Sequence, residues 1–144
     1  MNLAKRITLV TGASRGIGKE IALALGRTGA CVIGTATTEK GVAEINSYLQ
    51  AESLQGGALV MDVTQAKQVN AVVEEISNRY GVIQILVNNA GITKDNLLMR
   101  MKDEEWETLI STNLTSVYRL SRACINAMVK ARYGRIISIS SVVG

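Results

Sequence analysis

The feature that most constrains this chain is a strand that runs straight into three glycines. Ile7-Thr8-Leu9-Val10 is an apolar, largely β-branched run suited to a strand buried on both faces. It leads into Thr11-Gly12-Ala13-Ser14-Arg15-Gly16-Ile17-Gly18, after which Ile17, Ile21, Ala24 and Leu25 recur at helical spacing. Strand, glycine loop and helix in this order give the glycines a meaning that a lone triplet lacks. Gly12 permits a tight turn, Gly16 lets backbone come close to a ligand, and Gly18 lets the helix pack against the strand. The helix N-terminus then presents unpaired N–H groups and the positive end of its dipole. Such a loop is built to hold the pyrophosphate of a dinucleotide, here with Gly-x3-Gly-x-Gly spacing.

The alternation of strand and helix continues to the end of the chain. Cys31-Val32-Ile33-Gly34 predicts a second strand, and Val42, Ile45, Tyr48 and Leu49 a second helix. Ala58-Leu59-Val60-Met61 predicts a third strand ending at Asp62, and Val69, Val72, Val73 and Ile76 a third helix. Ile85-Leu86-Val87 is a fourth strand stopped by Asn88-Asn89-Ala90-Gly91. A long helix follows from about Asp103 to Ala131, with a stripe of Trp106, Leu109, Ile110, Leu114, Val117, Leu120, Cys124 and Met128. Arg135 to Ile139 is the fifth strand. This order implies right-handed crossovers and an α/β, doubly wound parallel sheet of Rossmann-type dinucleotide-binding topology. With no repeat or linker, residues 1–144 read as a single domain.

Composition removes several functions. The chain has no His, which excludes a His-based triad and most zinc sites within it. A net charge of +4 suits a phosphate-bearing cofactor or an acidic carrier, or simply a mildly basic solvated surface. No run of Lys/Arg interleaves with aromatics, which argues against nucleic-acid binding. Cys31 and Cys124 lie far apart in apolar contexts and read as buried free thiols. The short apolar run before Gly12 does not suit a signal peptide, and no segment is long enough to span a membrane. A cytoplasmic location is the expectation.

Cofactor choice is argued from the end of the second strand. An NAD site usually places an acid there for the ribose 2′-OH. Here the stretch is Gly34-Thr35-Ala36-Thr37-Thr38, with no acid until Glu39, while Arg15 supplies a cation in the glycine loop. The pairing favours a 2′-phosphate and hence NADP(H); the alternative leaves Arg15 merely solvated.

The loop at 11–18, Asp62-Val63, Asn88-Asn89-Ala90-Gly91 and the helix bearing Asn113 together resemble the short-chain dehydrogenase/reductases over the whole chain. The segment from Gly91 to Met101, Gly34-Thr35-Ala36-Thr37 and Ser140-Ser141-Val142-Val143-Gly144 resemble the branch that reduces 3-oxoacyl groups on acyl carrier protein with NADPH in fatty-acid synthesis. The resemblance implies that Gly12, Ala13, Ser14 and Arg15 contact the cofactor phosphates, with Gly16, Ile17 and Gly18 in the same cofactor-binding loop. It places Thr37 by the 2′-phosphate, Asp62 and Val63 at the adenine, and Asn89, Ala90 and Gly91 beside the nicotinamide ribose. Asn113 and Ser141 become catalytic, Ser141 by hydrogen-bonding the substrate carbonyl. Ser138, Ser140 and Ser141 lie close together, and the family's Ser-Val-Val-Gly pattern selects Ser141.

Asn113 also stands out by itself, as an amide on the apolar stripe between Ile110 and Val117 that must be paired. It is read either as a structural amide satisfied by backbone or as the support of a helix irregularity and a proton-relaying water. Arg132 is expected near the site mouth to meet the acidic carrier, or else to be an ordinary helix C-terminal cation. The resemblance further implies a homotetramer, with helix 103–131 packed on its mate.

One departure matters. The family's catalytic Tyr-x3-Lys would follow about a dozen residues after Ser141, and Tyr118 and Tyr133 lack a Lys four residues on. The fold is thus expected to be incomplete at its C-terminal end, with a remainder to follow. The 144 residues alone are expected to show negligible turnover. A related reductase acting on a CoA thioester or small ketone is the alternative. If the chain is the whole product, a non-catalytic NADP-binding module is another.

Overall fold

A computed structural model describes residues 2–91 and 100–140. Five parallel strands form one sheet: β1 (Ile7–Val10), β2 (Cys31–Ala36), β3 (Gly56–Val60), β4 (Ile85–Asn88) and β5 (Arg135–Ser138). Their order across the sheet is β3-β2-β1-β4-β5. Register pairs Leu9 with Ile33 and with Leu86, and Asn88 with Ser138. The connecting helices are α1 (Gly16–Arg27), α2 (Glu39–Ala51), α3 (Ala66–Arg79), α4 (Asp103–Ile110) and α5 (Ser116–Ala131). Strand β2 runs two residues beyond its expected end, and β3 lies one to two residues earlier than its apolar run suggests.

Both faces of the central strands are covered, which is why they read as unbroken apolar runs, whereas the edge strand β5 is exposed along its length. On one face Leu9, Ile33 and Leu86 pack with Val69, Val72 and Ile76 of α3 and Leu120, Cys124 and Met128 of α5. On the other, Val10, Val32 and Val87 pack with Ala22 of α1 and Ile45 and Leu49 of α2. Each of these side chains is buried, at about 1.5–3 kcal/mol for a full aliphatic side chain. The doubly wound order reverses between β1 and β4, so a crevice opens beyond the carboxyl ends of those two strands.

The long helix is not uniform. Ser111–Thr115 forms a π turn between α4 and α5. A π turn carries an extra residue and rotates the helix face that follows it. Downstream, the buried positions are Thr112, Ser116, Leu120, Cys124 and Met128, four apart. The expected stripe therefore fails in its first half: Trp106 is 54% and Leu114 63% exposed. Asn113 is likewise exposed rather than on the buried face.

Helix α5 ends at Arg132, which takes a left-handed conformation (φ 55°). Because α4–α5 returns from the end of β4 to the start of the parallel β5, Arg132 lies at the amino ends of the strands. Within its own chain it is far from the crevice, so the expectation that it borders the site mouth is corrected. Both cysteines are buried and free, as expected. Among the described residues no helix is long and apolar enough to cross a membrane, and no cluster of metal-ligating side chains occurs.

Candidate functional site

The glycine loop occupies the crevice edge above β1. Gly12 and Gly16 have φ of 62° and 59°, left-handed values that favour glycine. A Cβ on Gly16 would meet nothing within 4 Å, so the loop's outer surface is open at that point. At Gly18 the reverse holds. A Cβ there would run into the carbonyl oxygen of Gly12 and come within 2.5 Å of Asn89 Nδ2.

Helix α1 starts here with Arg15 as its N-cap, extended in backbone and making no side-chain cap. Helix α2 instead has Thr38 capping Gly41 N–H at 3.1 Å. The first turn of α1 also carries no acidic residue. Its N-terminal N–H groups are therefore left to an anion, which fits a pyrophosphate.

What holds the loop in place comes from elsewhere in the chain. Thr11, 1% exposed, accepts hydrogen bonds at Oγ1 from the Asn89 and Ala90 N–H groups, at 3.0 and 2.9 Å. Asn89 Nδ2 donates to the carbonyls of Gly12 at 3.1 Å and Thr11 at 3.3 Å. Tyr48 of α2 donates its hydroxyl to the Ala13 carbonyl at 2.8 Å, and Ala13 N–H donates to the Thr35 carbonyl at 2.9 Å. The Ala13 side chain is fully buried. Ala13 thus seats the loop with both backbone groups engaged inside the fold, and the Asn89 carboxamide clamps it. Thr11 and Tyr48 were not singled out by sequence reasoning as site residues. Their hydroxyl-to-backbone bonds join positions 78 and 35 residues apart, beyond the reach of a local pattern.

The other expected positions gather at the same end of the sheet. Ala36, buried, ends β2 and Thr37, exposed, follows it. Asp62 Oδ1 accepts from Thr64 N–H at 2.9 Å and Thr64 Oγ1–H at 2.6 Å, so one carboxylate oxygen shapes the turn after β3. Among the described residues Oδ2 carries no hydrogen bond. Val63 is 5% exposed and part of the core, so it offers backbone rather than side chain.

Across the crevice, Asn113 of the π turn sits against Gly91: a Cβ on Gly91 would lie 2.7 Å from Asn113 Oδ1. A side chain at position 91 would push the two apart. The structure therefore brings Asn113 to the Asn89–Gly91 segment. Ser141 lies outside the described residues.

Arg15, Ser14 and Lys40 also border an open groove between α1 and α2, on the flank of the loop. Lys19 and the carboxylates of Glu20 and Glu44 line the same groove, so its charge is mixed, with Arg15 the cation carried on the loop itself. Burial pushes the Tyr48 phenol up to about 12, so it remains a donor to Ala13 throughout the neutral range.

A family model described as short chain dehydrogenase matches residues 6–144. The chain is 56% identical over 144 residues to the 3-oxoacyl-[acyl-carrier-protein] reductase FabG of Pseudomonas aeruginosa. Against the proteins of the same name from Escherichia coli and Vibrio harveyi it is 57% and 55% identical over 144 residues. In each case the match covers all of this chain and 58% of the relative, so the chain spans well under two thirds of their length.

Proposed function

We propose, from the premise that this chain belongs to the short-chain dehydrogenase family, that it supplies the cofactor half of an NADPH-dependent 3-oxoacyl-[acyl-carrier-protein] reductase of fatty-acid synthesis. The observation that carries the reading is identity of 55–57% along the whole chain to relatives of that name. The open loop beside an uncapped helix N-terminus supports it independently.

When bound, the reduced nicotinamide supplies a hydride. The chain's own residues bind and orient. Gly12, Ser14, Arg15, Gly16, Ile17 and Gly18 hold the phosphates on a loop seated by Ala13. Arg15 and Thr37 take the 2′-phosphate, the feature that selects NADP(H) over NAD(H). Asp62 Oδ2 and the Val63 backbone meet the adenine, and Asn89, Ala90 and Gly91 line the ribose next to the nicotinamide. Asn113 acts from the π turn, and Ser141 hydrogen-bonds the ketone oxygen of the substrate. The 144 residues contain no tyrosine followed by lysine four positions on. Without that pair, the 144 residues by themselves are expected to show negligible turnover.

The acidic carrier protein bearing a 3-oxoacyl group is the partner this reading implies, and the cytoplasm the location. The exposed stripe of Trp106, Leu114, Tyr118, Ile125 and Val129 on α4–α5 is the face we assign to contact between copies in a homotetramer. The test is steady-state oxidation of NADPH by the full-length polypeptide with acetoacetyl-carrier protein. Turnover that prefers the carrier thioester to the CoA thioester and weakens with salt is expected. Faster turnover of the CoA ester, or of NADH, overturns the assignment.

A further inference from the structure

Beneath the π turn lies a polar layer that the reductase reading leaves unused. Asn88, the last residue of β4, is 4% exposed, and among the described residues neither its Oδ1 nor its Nδ2 has a hydrogen-bond partner. A buried carboxamide left so costs about 1–3 kcal/mol per orphaned group, which makes it an exception that needs an explanation. Its backbone carbonyl, by contrast, is used by Ile139 N–H at 2.9 Å.

Register says what the side chain faces. Leu86 of β4 and Leu120 of α5 share one core cluster. Asn88 lies two residues beyond Leu86 on the same face of the strand, about 6.6 Å further toward the crevice. Helix α5 runs antiparallel to β4, so one turn back from Leu120, about 6 Å in the same direction, comes Ser116. Another turn back is Thr112. These are the two buried polar residues of the helix, 2% and 9% exposed. Ser116 Oγ donates to the Thr112 carbonyl four residues back. A π turn widens the backbone here and loosens its regular ladder. Above the apolar core, then, an unpartnered carboxamide and the inner side of a π turn lie in one layer.

We infer that Asn88, Thr112 and Ser116 form a buried seat for one water molecule, and that through this water Asn88 holds the π turn in register. Such a site has the polar lining that a buried water needs, about three hydrogen bonds in all. Asn88 is a positioning residue: it fixes Ser111–Thr115, and with it the placement of Asn113 against Gly91. The role of Asn113 in the reaction rests on the function proposed above. The seat itself does not.

The experiment is hydrogen exchange, read by mass spectrometry on the full-length polypeptide, for wild type, Asn88→Leu and Asn88→Ser. Leu keeps the volume and removes the polar partner; Ser keeps a hydroxyl and leaves room for a second water. The seat predicts that Asn88→Leu speeds exchange at residues 112–116 by roughly tenfold or more, while Asn88→Ser stays within about threefold of wild type. A packing role alone predicts the opposite order, Ser worse than Leu. Unchanged or slower exchange in Asn88→Leu, with a raised Tm, overturns the proposal, since it means that the amide was an unpaired burden. Should Asn88→Leu not fold, a high-resolution crystal structure of the wild type decides. Density for a water bonded to the Asn88 carboxamide and to the Thr112–Ser116 backbone or hydroxyls supports the seat. A dry contact there refutes it. None of these readouts uses turnover, so failure here leaves the reductase assignment standing, and the reverse.

Discussion

Replacing Thr11 by Val isolates the bond that ties the glycine loop to β4. Valine matches threonine in shape, so the change deletes a hydroxyl and opens no cavity. In the wild type that oxygen accepts from Asn89 N–H at 3.0 Å and Ala90 N–H at 2.9 Å, with a long donation to the Val87 carbonyl at 3.4 Å. Thr11→Val therefore orphans two backbone donors at once. Each costs about 1–3 kcal/mol when fully buried, and both residues are half-buried, which puts the sum at roughly 2–3 kcal/mol. Thr11→Ser is the control. It keeps the oxygen and loses one methyl, about 0.8 kcal/mol. Urea unfolding of the three proteins gives the comparison, with slopes checked for constancy. Nicotinamide-cofactor affinity is expected to fall with Val and to persist with Ser, because the loop drifts only when its anchor is gone. If Thr11→Val is no less stable than Thr11→Ser, the hydroxyl is not what seats the loop.

Other outcomes follow from the same geometry. Gly18→Ala places a methyl against the Gly12 carbonyl and Asn89 Nδ2, neither of which can yield without moving the loop, so cofactor binding is lost while circular dichroism changes little; retained affinity by fluorescence titration argues against the close packing. Tyr48 has a phenol pushed up from 10.0 to about 12 by burial, so the folded state resists its ionisation. The stability this gives is whole below pH 10 and is lost as pH rises through about 12; a Tyr48→Phe variant should lack that part of the alkaline slope in unfolding midpoints. Cys124, raised to about 12 by burial, should resist thiol reagents at about pH 8 in the native state and react once the chain is unfolded. Rapid native labelling would contradict its place in the core.

Much of this architecture was legible because a doubly wound sheet writes itself into short apolar runs. Ile7–Val10, Cys31–Gly34 and Ile85–Val87 are buried on both sides, and nothing but a covered parallel strand explains such runs between helical repeats. The glycine loop was legible for a related reason: backbone with positive φ at Gly12 and Gly16 leaves a compositional trace. The helix after Asp103 was less so. Counting at a fixed 3.6-residue period put Trp106, Leu114 and Asn113 on the buried stripe, but the π turn at Ser111–Thr115 turns that face away. Arg132 was misplaced because residue type tells of charge and not of which end of the sheet a helix reaches. Thr11 and Tyr48 escaped notice since their work is done by single hydroxyls on distant backbone. Asn88 stood in plain view within Asn88-Asn89-Ala90-Gly91, yet only its burial set it apart from Asn89.

The central claim, that the loop at 11–18 with Arg15 holds NADP(H), is tested most directly by titrating the protein and its Arg15→Ala variant with NADPH and NADH. Tighter binding of NADPH, by about tenfold or more, is predicted for the wild type, since one charge-assisted contact to a 2′-phosphate contributes roughly 1.5–3 kcal/mol. Arg15→Ala should erase most of that preference, weakening NADPH binding well beyond any loss in NADH binding. Equal or tighter binding of NADH by the wild type, or a preference for NADPH that survives the loss of Arg15, would contradict the account.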